Sequence, residues 1–96
     1  MSPLKKKKLN KIRHELDSLD NSLIKLIKKR TNLVKKVLAL KDKKSQIIDH
    51  KRIKKILKDV RKKSLINNID PKITNRIWKN MIWSYIDFEK RNFKKK

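Results

Sequence analysis

Starting at Ile12, the apolar residues Leu16, Leu19, Leu23, Leu26, Leu33, Val37 and Leu40 follow one another in steps of four and three, and Arg30 alone breaks the rhythm. A helix with that spacing presents one continuous apolar seam to a partner helix. A guanidinium cannot be neutralised by losing a proton, so Arg30 in the seam needs an anion, supplied by the protein or by a ligand.

The pattern predicts a first helix over about residues 6–43, roughly 55 Å long at ~1.5 Å per residue. A chain of 96 residues cannot fold over such a rod, so the seam is expected to face a second copy in an intertwined helical homodimer. The sequence has no glycine and two prolines, Pro3 and Pro71. Tight hairpins and glycine-rich phosphate loops are thereby excluded, and an all-α fold of three helices follows. An apolar content of 36% is thin for a self-sufficient core. The chain reads as one domain, residues 1–96, with basic tails at 1–8 and 92–96. Glu15, Asp17 and Asp20 stand early in the first helix and Lys41, Lys43 and Lys44 late, partly as the helix dipole prefers.

After a connector over residues 45–48, Asp49 caps a second helix with Ile53, Ile56, Leu57 and Val60 on one face. That helix is expected to end within residues 64–68. Asp70-Pro71 then opens a third, an N-cap followed by proline at the first helical position. Ile73, Ile77, Met81, Ile82, Tyr85 and Ile86 form its predicted inner face.

A net charge of +22 invites a nucleic-acid reading. However, lysine, isoleucine and asparagine, at 25, 13 and 8 residues, make up nearly half the chain. All three have AT-rich codons, so drift accounts for lysine on solvated surfaces. The cations are spread along the whole length and form no recognisable binding motif, which argues against a specific nucleic-acid partner. There is no cysteine, no leader pattern and no stretch long enough to span a bilayer, so a cytoplasmic protein without a membrane partner is expected.

Arginine is scarce, six residues against 25 lysines. Where drift favours lysine, a retained arginine points to the planar fork that binds a carboxylate bidentately. Arg13, Arg30 and Arg52 lie at or beside predicted apolar faces, whereas Arg61, Arg76 and Arg91 read as surface. Lys41 follows Arg30 by three helical turns and would leave the first helix on nearly the same face. Arg52 lies in the first turn of the second helix, where free N–H groups favour an anion. Glu89 is the one acid on an otherwise apolar part of the third helix. Together these residues suggest four cations and one carboxyl around a small polyanion. His14 and His50 make no metal-ligand spacing, and no arrangement supports nucleophilic catalysis.

The ordered set resembles the all-helical, AroQ-class chorismate mutases over about residues 9–90. It comprises Leu9, Ile12, Arg13, Leu16, Asp17 and Asp20; Leu23, Ile24, Leu26, Ile27, Arg30, Leu33, Val34, Val37 and Lys41; Ile48, Asp49 and Arg52; and Ile69-Asp70-Pro71. The resemblance implies an interlocked homodimer converting chorismate to prephenate without a cofactor. It implies that Arg13 reaches a substrate carboxylate from the other subunit, Arg30 binds a carboxylate, and Arg52 serves the second-helix part of the pocket. Lys41 would donate to the ether oxygen whose bond breaks, Asp49 would lie beside the substrate hydroxyl, and a protonated Glu89 would donate a second hydrogen bond.

Ile53 departs from the family pattern, which has a glutamate there contacting the hydroxyl. With Tyr85 four residues before Glu89, this also resembles the related isochorismate pyruvate-lyases. Alternatives outside that chemistry are a basic helical module binding nucleic acid or acidic partners, and a catalytically inactive regulator on the mutase fold.

Overall fold

The computed structural model describes residues 1–94. They form three helices with no strand: α1 (Pro3–Leu40), α2 (His50–Ile66) and α3 (Pro71–Asn92), with a 3-10 turn at Lys44–Gln46. The all-α expectation holds. Lys95 and Lys96, part of the expected C-terminal tail, lie outside the described residues.

Both ends of α1 differ from expectation. The helix begins at Pro3 and takes in residues 3–8, because Ser2 caps it: Ser2 Oγ accepts from the Lys5 N–H at 3.2 Å and the Ser2 carbonyl accepts from the Lys6 N–H at 2.9 Å. Proline at the first helical position costs nothing there, since its missing N–H would have been an orphan. The helix ends at Leu40, three residues early. Its first turn holds no acid and its last turn no base, so the expected dipole-matching charges are not at the ends.

The chain divides into two compact units, Met1–Leu33 and Val34–Lys96. The first is the part of α1 up to Leu33, with Met1 and Ser2 before it. It buries no side chain, and the seam leucines are open to water, with Leu19 and Leu33 at 61% and 60% exposure. The second unit contains the end of α1, the turn, α2 and α3. Its core is Ile47, Ile82 and Ile86, with Leu38, Ile48, Ile53, Ile56, Leu57 and Phe93 packed around them.

Local chemistry sets the boundaries inside this unit. Asp49 caps α2 by accepting the Arg52 N–H at 3.0 Å, and Asp70 caps α3 by accepting the Lys72 N–H at 2.9 Å, both as expected. The end of α2 is a Schellman closure, in which the Ile69 N–H reaches the Ser64 carbonyl at 2.8 Å and the Asn68 N–H reaches the Leu65 carbonyl at 3.3 Å. That closure needs a left-handed residue. In a chain without glycine, Asn68 takes the role at φ 57°.

The covered face of α3 matches the predicted one in part: Ile82 and Ile86 are buried and Met81 and Tyr85 half-buried, Thr74, Trp78 and Glu89 are covered beside them, and Ile73 and Ile77 stay more than half exposed. At the Thr74 end the contact with α2 is polar: the buried Ser64 hydroxyl meets the Thr74 hydroxyl at 2.6 Å and donates to the Val60 carbonyl.

Asn68→Gly should raise stability by about 0.5 kcal/mol, and Asn68→Val should lower it by about 1–2 kcal/mol through left-handed strain. Urea melts at one fixed protein concentration measure both. Equal stability of the two variants would contradict the αL assignment.

Candidate functional site

Of the seven predicted site residues, Lys41, Asp49, Arg52, Tyr85 and Glu89 belong to the unit that starts at Val34, and Arg13 and Arg30 to the preceding part of α1. Arg13 is exposed on α1 and Arg30 is half-buried on it.

Lys41, expected within α1, is the first residue beyond it, since the helix stops at Leu40. Lys41 Nζ donates to Glu89 Oε2 at 2.9 Å and approaches the Ile47 carbonyl oxygen at 3.5 Å. The Lys41 and Glu89 side chains are 18% and 9% exposed. Two other ion pairs, Lys55–Asp59 and Arg91–Asp87, are i,i+4 pairs on solvated helix faces. Exposed pairs of that kind contribute little, whereas a pair largely withdrawn from water interacts in a lower dielectric and fixes geometry. The Lys55 hydrogen bond holds the Asp59 carboxyl below its ordinary value, with Lys63 and Lys62 adding to the effect. No predicted site residue takes part in that shift.

Glu89 reaches its place through α3. It follows Ile82 and Ile86 along the covered stripe, so the packing that buries those isoleucines also buries the carboxyl. Oε2 is occupied by Lys41, and Oε1 has no hydrogen-bond partner among the described residues. No buried polar side-chain atom there is left unsatisfied, so Oε1 reaches solvent. An ammonium has three donors, and Lys41 directs one at Glu89 and one toward Ile47, which leaves another for a ligand.

Asp49 spends Oδ1 on the α2 cap. The Arg52 backbone N–H is taken by that cap, while its side chain is exposed and in no ion pair with the described residues. Tyr85 is half-buried, one turn before Glu89. Thus the structure brings Lys41 and Glu89 into direct contact, and Asp49 and Arg52 through the cap. An indentation of about 320 Å³ in the same unit is lined by Lys35, Leu38, Phe88 and Phe93 among others, and by none of the seven residues. Among the described residues no cluster of His, Asp or Glu could hold a metal, and no helix is long and apolar enough to cross a membrane.

Sequence reasoning missed Ile47 and Gln46, which shape the turn under Lys41. The adjacent apolar pair Ile47-Ile48 in a polar connector was the available signal. Chemically, the contact holds a cationic donor that has a further N–H to give, and such a donor is suited to an oxygen that gains negative charge during a reaction.

Lys41→Met strands the carboxyl of a side chain that is only 9% exposed, and should cost roughly 2–3 kcal/mol. Adding Glu89→Leu should recover a large part of that loss. A double-mutant cycle from urea melts measures the coupling, and simple additivity would show that the pair does not act as a unit.

A family model described as chorismate mutase type II matches residues 12–90, a span that includes all seven residues. No curated protein and no solved structure matches the chain at a significant level.

Proposed function

Because the chain belongs to the chorismate mutase type II family, we propose that it catalyses the rearrangement of chorismate to prephenate as a cytoplasmic homodimer. Family membership supports isomerase chemistry on chorismate in general terms. The observation that carries the finer reading is the Lys41–Glu89 contact at 2.9 Å, a donor and a carboxyl held together at the edge of a small core.

The rearrangement is unimolecular and pericyclic, so the protein's work is to hold a flexible dianion in its compact conformer and to stabilise charge on the breaking ether oxygen. In this reading Lys41 donates to that oxygen. Glu89 holds the Lys41 ammonium through Oε2, and its protonated form would donate from Oε1 a second hydrogen bond that strengthens in the transition state. Arg30 and Arg52 bind the substrate from one subunit and Arg13 from the other, with Asp49 near the hydroxyl and Tyr85 lining the pocket. The exposed apolar seam of α1 supports the homodimer, since Leu16, Leu19, Leu23, Leu26 and Leu33 are each more than half exposed in the single chain.

One observation favours a second reading. Ile53 packs against the Ile47–Ile82–Ile86 core and offers the substrate hydroxyl no polar atom, which suits isochorismate pyruvate-lyase chemistry on the same clamp. Following the loss of chorismate absorbance, beside isochorismate with pyruvate detection, separates the two. Turnover of chorismate supports the mutase, and pyruvate release from isochorismate alone supports the lyase. Arg30→Ala should lower kcat/KM at least about a hundredfold while the dimer persists by light scattering. Unfolding of the variant would mean that this arginine is structural.

The donor role of Glu89 has a second consequence. Glu89→Gln, which keeps a hydrogen-bond donor at that position, should retain turnover of chorismate, whereas Glu89→Leu should lower kcat at least about tenfold. Wild-type kcat in Glu89→Leu would remove the donor role.

A further inference from the structure

We propose that Gln46 is a positioning residue for Lys41: its side-chain oxygen closes the turn after α1 and so fixes the direction from which the Lys41 ammonium reaches a bound ligand. This inference rests on the chorismate mutase reading, in which Lys41 donates to the ether oxygen.

Lys41 is the first residue beyond α1, and its backbone is held to the helix by one hydrogen bond, from its N–H to the Leu38 carbonyl at 3.1 Å. Its ammonium lies at the end of a flexible four-carbon stem. Neither fact defines a direction precise enough for catalysis, which needs the donor placed within a fraction of an ångström. The next six residues supply it.

Gln46 Oε1 accepts two backbone hydrogen bonds, from Asp42 N–H at 2.8 Å and Lys43 N–H at 2.9 Å. The Gln46 N–H in turn donates to the Lys43 carbonyl at 3.0 Å, and the Ile47 N–H to the Lys44 carbonyl at 3.2 Å. One amide oxygen therefore joins the residue that follows Lys41 to the residue that precedes Ile47. Ile47 is 3% exposed and anchored against Ile82 and Ile86. Its carbonyl oxygen lies 3.5 Å from Lys41 Nζ. Both ends of the lysine are thus referred to the same turn, the backbone through Asp42 and the ammonium through Ile47. Glu89 supplies the other contact from α3, at 2.9 Å.

The two N–H groups that Gln46 satisfies are in an exposed turn, where water replaces a lost acceptor at little cost. Removing the acceptor should therefore loosen the turn without unfolding the protein. The loss should appear in the chemical step, because the ether oxygen gains its charge only in the transition state.

The test uses the full-length chain, with Gln46→Met, which keeps the length of the side chain and removes the acceptor, and Gln46→Glu, which keeps it. The expected result is a fall in kcat of about ten- to a hundredfold for Gln46→Met with KM within about threefold of wild type. Gln46→Glu should restore kcat to within about threefold, and amide exchange at Asp42 and Lys43 should speed up only in the methionine variant. A wild-type kcat in Gln46→Met, or no rescue by Gln46→Glu, overturns the positioning role in an otherwise active enzyme. Unchanged exchange at Asp42 and Lys43 in Gln46→Met overturns it too. A wild-type chain without turnover of chorismate removes the functional reading and this role with it, while the exchange data still report whether Gln46 holds the turn.

Discussion

Burial of Ile47 against Ile82 and Ile86 organises the unit that carries Lys41 and Glu89. A fully buried isoleucine contributes about 1.5–3 kcal/mol, and these three are the buried apolar side chains among the described residues. Ile47 lies in the turn between α1 and α2, so its burial brings that turn onto α3. The Ile47 carbonyl then lies near the Lys41 ammonium, and Glu89, next on the stripe after Ile86, meets it from α3. A non-directional apolar contact thus decides where a directional ion pair forms.

The nine acids are distributed unevenly among tasks. Asp49 and Asp70 cap helices, while Asp59 and Asp87 make solvated i,i+4 pairs. Glu89 is the buried carboxylate among the described residues, and it is the one paired with the cation that the chemistry of the proposed reaction requires. In a chain of charge +22 the informative charges are therefore the negative ones. A lysine on a wet surface costs nothing and says little, whereas a carboxyl taken out of water needs a partner.

Much of the architecture was legible because it is local. Asp49 and Asp70 reach N–H groups two or three residues away, so their caps could be read from order alone. The seam of α1 was equally plain, since helical periodicity puts residues three and four apart on one face. What failed was of a different kind. Lys41 was assigned to the helix, which instead ends at Leu40. Little local marks that end, because lysine fills three of the next four positions, Asp42 is only a weak breaker, and there is no glycine to stop the helix. The inner face of α3 was read correctly at Ile82 and Ile86 but not at Thr74, because the Ser64–Thr74 contact joins two hydroxyls ten residues apart that carry no apolar signal.

The sequence by itself determined three helices, the apolar seam of the first, the two aspartate caps, and an ordered set of arginines, lysine and acid that resembles one enzyme family. These follow from interactions spanning a turn or less, which spacing encodes directly. Only the tertiary structure decided that Lys41 leaves its helix and meets Glu89, 48 residues later in the chain. Where a side chain finds a partner on another helix is not encoded in the spacing along its own. It depends on which distant surfaces are buried together, here the turn holding Ile47 and the face of α3 holding Ile82, Ile86 and Glu89.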